Sequence, residues 1–472
     1  MAQIDDSSSS ARSGLVLGMA RVFGLGLSLI ATMLLIRGIG ISGYGRFTVA
    51  MTAVTLLVGA VDLGLGTLAN RDVPVATDKD GLIRSLWEIR SRANIVVLGV
   101  GLAVGIVCWV EGSGTLGLEI VAVGVSGAYI LGGNLATAIG FAQGLGKRQA
   151  VLELVSKVGW VLAAGAIAIV GGGWMGALAA SVGLGGIPLI ARKWLGNNPR
   201  SVEHQDRAGG ALRRAVPLSL FALIYLAFNR ADVMGLAIGT SAREVGRYAT
   251  SYRFADAMLG LGVAAVAIIA PTLASRTTRR ERHERARDRV MRVSGWLSGL
   301  GMAGAPIWLR ILAGNQIGAL TEAMGTVMLL GVGSVAYIGM QIDLVGLIAA
   351  RRHWGMMMVV GMASVAEGVG VWAVAHWGIM AAAGVVCFIE LGAVGFTSML
   401  CAKSDLKPGW LRAGWLGLGV GIVVSGGEIL AGAGVVSGLI GAILVSAVSL
   451  SFVSTRNELR SIFRMLKSSS AK

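Results

Sequence analysis

The chain has 472 residues, of which 55% are hydrophobic and only 14% are charged, and its formal net charge is +16. Soluble proteins carry about 25% charged residues, so this composition, with a mean hydropathy of +0.74, excludes an ordinary soluble domain. Strands of alternating polar and apolar residues are absent from the sequence, which argues against a transmembrane β-barrel. The chain is therefore predicted to be an all-α polytopic membrane protein.

Apolar runs of about 20 residues, long enough to cross a ~30 Å hydrocarbon core as helices, recur along the whole chain. They predict about fourteen transmembrane helices, numbered here as spans 1 to 14. In chain order the predicted spans are 14–36, 47–69, 93–110, 118–142, 151–170, 174–191, 215–238, 248–275, 293–309, 319–350, 354–375, 379–400, 414–433 and 436–455.

Lys and Arg residues are concentrated in alternate loops, which is the pattern that the positive-inside rule describes. The basic loops are 71–92, 147–148, 192–214, 276–292, 351–352, 403–412 and the C-terminal tail, whereas the opposite loops carry Arg37, Arg46, Arg243, Arg247 and Arg310. This distribution predicts that both termini are cytoplasmic. It also accounts for the positive net charge without a nucleic-acid partner, and none is expected.

A short internal repeat links the two halves of the chain. Gly45-Arg46-Phe47 opens span 2, and Gly246-Arg247-Tyr248 opens span 8 at an offset of 201 residues. The repeat predicts two six-helix lobes in the same orientation, as in many transporters. The predicted organisation is an N-terminal lobe of spans 1–6 (1–195), a cytoplasmic linker (196–214), a C-terminal lobe of spans 7–12 (215–402), and two extra spans with a cytoplasmic tail (403–472).

Ionisable side chains inside a membrane are costly and usually face a cavity or a charged partner. Arg253 and Asp256 are spaced i,i+3 and are expected to pair, whereas Arg230 and Asp232 are spaced i,i+2 and need separate partners. Polar and charged residues concentrate in spans 1, 2, 7 and 8, with further acidic residues in spans 10, 11 and 12: Arg21, Asp62, Asn229, Arg230, Asp232, Arg253, Asp256, Asp343, Glu367 and Glu390.

Asp62 lies about two turns from the predicted cytoplasmic end of span 2 and is followed by Gly64 and Gly66. Its carboxylate is expected to bind a proton or a cation, or to pair with an arginine of span 1 or span 8. The histidines and cysteines have none of the spacings typical of metal sites. No metal and no other cofactor is predicted, apart from a coupling ion.

Two segments carry motifs of a known family. LLIRGIGISGYGRFTVAMTAVTLLVGAVDLGLGTLANRDV contains Arg37-Gly38, Tyr44-Gly45, Asp62-Leu63-Gly64 and Arg71-Asp72, and FNRADVMGLAIGTSAREVGRYATSYRFADAML contains Arg230, Asp232, Val245-Gly246, Tyr248 and Tyr252-Arg253. These segments resemble spans 1–2 and spans 7–8 of the polysaccharide (oligosaccharide) flippase family. That family is the Wzx-type branch of the multidrug/oligosaccharidyl-lipid/polysaccharide exporter superfamily.

The resemblance implies a V-shaped, MATE-like transporter that alternates access to a central cavity lined by spans 1, 2, 7 and 8. Its substrate would be an undecaprenyl-pyrophosphate-linked oligosaccharide, moved from the cytoplasmic to the periplasmic leaflet for O-antigen, exopolysaccharide or capsule synthesis. The candidate cavity residues are Arg21, Arg71, Asn229, Arg230 and Arg253, and the candidates for binding a coupling H⁺ or Na⁺ are Asp62, Asp232 and Asp256. Spans 13 and 14 would form a groove for the lipid tail.

The resemblance further implies a location in the bacterial inner membrane, with membrane lipids as neighbours and a polysaccharide polymerase and a chain-length regulator as candidate partners. One alternative is another exporter of the same superfamily: a lipid II or teichoic-acid-type flippase, or a drug/cation antiporter. A more remote alternative is a membrane-bound polymerase or glycosyltransferase. Such an enzyme commonly needs a large loop or a soluble catalytic domain, which the sequence does not contain, so a transporter is predicted rather than an enzyme.

Overall fold

The computed structural model describes residues 3–62, 64–76, 78–110, 114–195, 220, 223–269, 279–349, 353–402, 415–430 and 435–451. Within these residues the chain is mainly helical, and the described part of each of the fourteen predicted spans overlaps a helix. In this part of the chain, eight helices are long and apolar enough to cross a membrane, or nine if one bent pair forms a single span. The all-α polytopic prediction is thus confirmed, while the count of fourteen crossings stays a prediction.

The chain divides into two compact units, Met1–Arg230 and Ala231–Lys472. The first unit contains α1 (Gln3–Val61), α2 (Leu65–Asp72), α3 (Lys79–Val110), α4 (Gly114–Ala142), α5 (Gly146–Val170), α6 (Gly173–Gly185) and α7 (Ile187–Ile190). The second contains α8 (Ala231–Gly239), α9 (Ala242–Ile269), α10 (Arg279–Ala303), α11 (Ala305–Ala313), α12 (Leu320–Ala349), α13 (His353–Val374), α14 (Ile379–Ala402), α15 (Trp415–Leu430) and α16 (Val435–Ser451).

The boundary between the units falls inside predicted span 7, not in the predicted linker at 196–214, which lies outside the described residues. A helical stretch at 223–228 ends in a turn at Asn229 and Arg230 before α8 begins. The Leu226 side chain lies against Gly59 of α1, where a Cβ would overlap it. Residues before the turn therefore pack with the first unit, which divides the predicted span between the two units.

Predicted spans 1 and 2 are two helices that meet directly at a kink, without a loop between them, and α1 contains both. The only non-helical backbone inside it is at Gly40, with φ 74° and ψ 165°. Positive φ is a conformation that glycine adopts without steric cost, so a single glycine breaks the helix where the sequence predicted a turn.

Span 2 ends earlier than predicted, at Val61 instead of residue 69. Gly64 adopts a left-handed conformation, with φ 62°, and the short helix α2 follows. The apolar residues of α2 face protein instead of lipid. They belong to a buried cluster with the start of α3 and the end of α4: Leu65, Leu68, Ala69, Val73, Leu82, Ile83, Leu86, Ile89, Leu135, Ala138 and Ile139. Hydropathy alone did not distinguish this protein core from a continuing membrane span.

Close helix packing at equivalent glycines supports the internal repeat. A Cβ at Gly38 of α1 would overlap the backbone of Ala168 in α5, and a Cβ at Gly239 of α8 would lie 2.5 Å from the Cβ of Ala375 after α13. Gly38 and Gly239 are related by the same 201-residue offset as the Gly-Arg-aromatic motifs. Small residues let membrane helices approach closely. The first helix of each unit therefore packs closely against a neighbouring segment at an equivalent glycine.

The two C-terminal helices pack within the second unit. Gly299 of α10 lies against Gly417 and Gly421 of α15, and Gly438 of α16 lies 3.3 Å from Pro306 of α11 as measured from an ideal Cβ position. Helices α10 and α11 are bent by 64° relative to each other at Gly304. Predicted spans 13 and 14 therefore cover the bent third span of this unit.

Candidate functional site

A cluster of buried carboxyl groups occupies the interior of the second unit. Asp232 lies in the first turn of α8, directly after the turn at residues 229–230, and its residue surface is 1% exposed. The Tyr248 hydroxyl of α9 donates a hydrogen bond to Asp232 Oδ2 at 2.8 Å, and the backbone N–H of Val233 donates to Oδ1 at 2.7 Å. An acidic residue in the first turn also suits the positive end of the helix dipole, so the local sequence places and orients this carboxylate.

Two glutamates approach Asp232 from other helices. Glu367 of α13 is 3% exposed, and Glu390 of α14 is 8% exposed. Glu367 accepts a hydrogen bond from the backbone N–H of Asp232, and the three carboxyl groups are close enough to interact electrostatically. A Cβ at Gly333 of α12 would overlap Glu390 Oε2, so the glycine provides the space for that carboxyl group.

The carboxyl cluster (Asp232, Glu367 and Glu390) has little positive charge on the helices that carry it. Helices α8, α12, α13 and α14 contain no Lys or Arg. Burying an ionised carboxylate without a partner is expensive, and Glu367 Oε2 has no hydrogen-bond partner among the described residues. This arrangement favours the binding of protons or of a small cation.

No group of three or more His, Cys, Asp or Glu residues in the described part of the chain has the arrangement to hold a metal ion.

Two of the three arginines of α9 pair with carboxylates outside the carboxyl cluster. Arg247 pairs with Glu244 at 2.8 Å and with Glu322 of α12 at 2.5 Å, and its Nε donates to the Ile317 carbonyl at 2.8 Å. Arg253 pairs with Asp256 at 3.1 Å, which confirms the pairing predicted from the i,i+3 spacing. These ion pairs account for two of the three arginines of α9, and the third, Arg243, is exposed near the start of the helix.

Asp62 is held by Arg90 of α3, not by an arginine of span 1 or span 8 as expected. Arg90 Nη2 lies 2.6 Å from Asp62 Oδ1 and donates to the Asp62 carbonyl at 3.2 Å, and Nη1 donates to the Val61 carbonyl at 3.4 Å. Arg90 is fully buried, whereas the Asp62 side chain is 24% exposed. A cation at the C-terminal end of a helix is favourable, so Arg90 caps α1 at the point where the chain breaks.

A second buried arginine occupies a comparable place in the second unit, near the start of its third helix. Arg287 of α10 lies 2.9 Å from Asp343 Oδ2 of α12 and donates to the Ser398 hydroxyl of α14 at 2.9 Å. The Ser398 hydroxyl in turn donates to Asp343 Oδ2 at 3.0 Å. Arg287 and Asp343 are 1% and 0% exposed, so this ion pair joins three helices inside the unit.

The predicted cavity residues are only partly described. Asn229 donates from Nδ2 to the Tyr225 carbonyl at 2.6 Å and so closes the helical stretch before α8. Arg230 is half-buried at the same turn. Arg21 lies in α1 and Arg71 in α2, but their side chains are outside the described residues. The structure therefore does not assemble Arg21, Arg71, Asn229, Arg230 and Arg253 into one site, and their shared role stays a prediction.

Sequence reasoning identified Asp232 but missed its partners as a group. Hydropathy places Glu367 and Glu390 in membrane spans without indicating that they meet, and it places Arg90 and Arg287 in loops. The one local signal for the cluster was Tyr248, because it follows the repeated Gly-Arg pair and its hydroxyl binds Asp232.

The sequence profile of the family described as "Polysaccharide biosynthesis protein" matches residues 10–276, more than half of the chain. The chain belongs to this family. The match spans both segments on which the resemblance was based, so the family prediction is confirmed. Among curated protein sequences none matches this one.

Solved structures of transporters share the fold of this family member at low sequence identity. "Lipid II flippase MurJ, inward closed conformation" is similar with a TM-score of 0.67 and 10% identity, covering 93% of this chain and 99% of that chain. An inward-facing "multidrug resistance MATE family transporter of the MOP superfamily" gives 0.64 and 13%, covering 82% and 99%. "MATE in complex with MaL6" gives 0.57 and 12%, covering 84% and 96%. Together with the apolar helices, these likenesses show a multi-pass membrane protein with the fold of these solved transporters.

Proposed function

We propose that this family member flips an undecaprenyl-pyrophosphate-linked oligosaccharide from the cytoplasmic to the periplasmic leaflet of a bacterial inner membrane, by alternating access, to supply O-antigen, exopolysaccharide or capsule synthesis. The observation that carries this proposal is the family match over residues 10–276. The MurJ-like fold supports a lipid-linked substrate, since MurJ is described as a lipid II flippase. The predicted orientation places both termini in the cytoplasm.

The carboxyl cluster is the proposed site of ion coupling. Asp62 and Asp256, the other two candidates, are held by Arg90 and Arg253, whereas Asp232 lies beside two further buried acids. Repulsion among three buried carboxylates favours the uptake of protons, because like charges in one site oppose joint ionisation. We therefore propose H⁺ as the coupling ion, and Na⁺ is the alternative coupling ion.

The pyrophosphate is proposed to bind to arginines at the helix breaks. Arginine offers planar, multi-donor contacts to phosphate groups, and Arg230 lies at the turn that separates α8 from the preceding helix. Arg21, Arg71, Asn229 and Arg253 remain proposed members of the same cavity. A groove for the lipid tail along α15 and α16 and interactions with a polymerase and a chain-length regulator are further parts of this proposal.

The experiment deletes the gene and complements the strain with wild-type protein or with Glu367→Gln, Glu390→Gln or Arg230→Ala variants. Glu428→Gln is the matched control, because Glu428 is also a buried carboxyl residue of the second unit, on α15 and outside the cluster. Surface glycan and lipid-linked oligosaccharide retained on the cytoplasmic leaflet are measured at equal protein levels. The proposal expects the deletion strain and all three variants to retain the oligosaccharide inside, and the control to restore surface glycan.

Unchanged surface glycan in the deletion strain would exclude the oligosaccharide as substrate. The second candidate is then another lipid-linked precursor, which the fold shared with MurJ favours. Complementation of a strain depleted of its lipid II flippase tests that candidate directly. Growth would support it, and failure together with drug sensitivity of the deletion strain would favour a drug/cation antiporter.

A further inference from the structure

Two arginine–tryptophan pairs lie at one end of the first unit. The Arg148 guanidinium, at the start of α5, lies 5.5 Å from the centroid of the Trp194 ring, and its Nη1 donates to the Trp194 carbonyl at 2.6 Å. The Arg192 guanidinium, directly after α7, lies 5.5 Å from the centroid of the Trp87 ring of α3. Guanidinium groups at this distance are attracted by the faces of indole rings, so both arginines are held in defined positions on the surface.

The two pairs rest on one apolar base and form a continuous surface. Trp87 and Ala191 pack against the buried cluster of Ala136, Leu152 and Leu195. Because Ala191 and Leu195 flank residues 192–194, the segment that carries Arg192 and Trp194 is anchored on the same cluster as Trp87. Lys147 and Lys193 are exposed beside the arginines. We define the basic patch as Trp87, Lys147, Arg148, Arg192, Lys193 and Trp194.

The basic patch has an excess of positive charge. No acidic residue lies in the first turn of α5, and none lies in the 3₁₀ turn at Ala191–Lys193. The acidic neighbour of Trp87 on α3 is Glu88, which pairs with Arg92 at 2.6 Å. Two cations in the first turn of a helix also oppose the helix dipole, so an anion bound at this surface would relieve unfavourable electrostatics.

The surroundings of the basic patch indicate where that anion comes from. Trp194 is 42% exposed beside helices that are long and apolar enough to span a membrane. Tryptophan and arginine side by side are typical of the level of lipid headgroups. On the predicted topology this end of the unit faces the cytoplasm, where basic pockets between membrane helices bind anionic headgroups.

We propose that the basic patch binds the phosphate groups of anionic phospholipids in the cytoplasmic leaflet. The guanidinium groups direct their remaining N–H donors to the phosphate, while the indole rings fix their positions. Because this surface is separate from the carboxyl cluster, the inference does not depend on the identity of the flipped substrate. It assigns a lipid dependence to the first unit that neither the family nor the fold provides.

The experiment measures lipid retention by native mass spectrometry on the purified full-length protein, titrated with phosphatidylglycerol or with phosphatidylcholine. Arg148→Gln/Arg192→Gln is compared with wild type and with Arg243→Gln/Arg310→Gln. The control removes the same charge from two exposed arginines of the second unit. Each basic residue near an anionic membrane surface contributes about fivefold in affinity, so the patch variant is expected to bind phosphatidylglycerol roughly 25-fold more weakly.

Several outcomes are informative. Phosphatidylcholine binding is expected to be unchanged in all variants, and Arg148→Lys/Arg192→Lys is expected to recover part of the affinity, since lysine keeps the charge but not the planar contact. Equal weakening in the patch variant and in the Arg243/Arg310 control would overturn the proposal, because it would reflect net charge alone. Inorganic pyrophosphate that competes for the patch as strongly as phosphatidylglycerol would also overturn the proposal, because the patch would then bind the headgroup of the flipped substrate.

Discussion

The first helices of the two units make similar close contacts at glycines but differ in their polar residues. Gly38 and Gly239 are related by the 201-residue offset and make equivalent close approaches. At the same offset, Asp232 corresponds to Ala31 and Tyr248 corresponds to Phe47, and both residues of the first unit are buried. The repeat therefore preserves helix packing, while the carboxylate and the hydroxyl that binds it occur only in the second unit. Helix packing and the polar contact at Asp232 therefore differ independently between the two units.

The largest expected effect compares the two buried arginines. Arg287→Met leaves Asp343 fully buried without its cation, and removing one partner of a buried pair costs about 4 kcal/mol. Arg90→Met leaves Asp62 without its cation, but the Asp62 side chain is 24% exposed and reaches water. A smaller loss of about 2 kcal/mol is therefore expected from the broken charged hydrogen bonds. Equilibrium unfolding in mixed micelles measures the difference in the free energy of unfolding.

The double variants Arg287→Met/Asp343→Leu and Arg90→Met/Asp62→Leu are the controls for that comparison. Each is expected to be more stable than its single arginine variant, because apolar residues replace both charges. Equal losses for Arg90→Met and Arg287→Met would show that the exposure of Asp62 is irrelevant to the strength of its pair.

The next prediction introduces the equivalents of Asp232 and Tyr248 at the corresponding positions of the first unit. Ala31→Asp places an unpaired carboxyl group in the apolar interior of α1 and is expected to cost about 3 kcal/mol of stability. Adding Phe47→Tyr supplies the hydroxyl that Tyr248 provides to Asp232, and is expected to recover about 1 kcal/mol. Thermal unfolding of both variants and of Phe47→Tyr alone checks the effect.

If Ala31→Asp/Phe47→Tyr is no more stable than Ala31→Asp, the two side chains do not meet in α1. The equivalence of the two units would then hold for their glycine contacts but not for the geometry around Asp232.

The smallest expected effect tests the shared packing. Gly38→Ala and Gly239→Ala each add a Cβ to a contact that has no space for it, and overpacking of this kind costs about 2 kcal/mol. Gly26→Ala and Gly392→Ala are matched controls, because a Cβ at either position has no atom within 4 Å. Both controls are expected to be slightly stabilising, by up to about 1 kcal/mol, since alanine is the better helix former.

A loss of stability at Gly38 without one at Gly239 would contradict equivalent packing in the two units. Similar losses at both positions, measured as thermal midpoints in detergent, would confirm it.

Local sequence patterns predict the structure well where a feature lies within a single helix. The Arg253–Asp256 pair follows from i,i+3 spacing alone, and the approximate positions of the long apolar helices follow from hydropathy. The end of span 2 was wrong because Leu65 and Leu68 are apolar for packing against α3 and α4, not for contact with lipid.

Contacts between different helices could not be predicted from the sequence. Asp62 meets Arg90, and the carboxyl cluster joins Asp232 with Glu367 and Glu390, which lie in three different helices. Arg90 and Arg287 were counted in loops because α3 and α10 begin with polar turns that hydropathy does not recognise as helix. Only the folded arrangement shows that these arginines are buried.

The central claim is that the carboxyl cluster of the second unit takes up protons during coupling. Infrared difference spectroscopy on the protein reconstituted in bilayers, between high and low pH, detects the protonation of buried carboxyl groups directly. The signal is expected to be lost or shifted in Asp232→Asn, Glu367→Gln and Glu390→Gln and retained in Asp62→Asn. A signal that survives all three cluster variants, or that disappears in Asp62→Asn, would contradict the account and move the coupling site to the first unit.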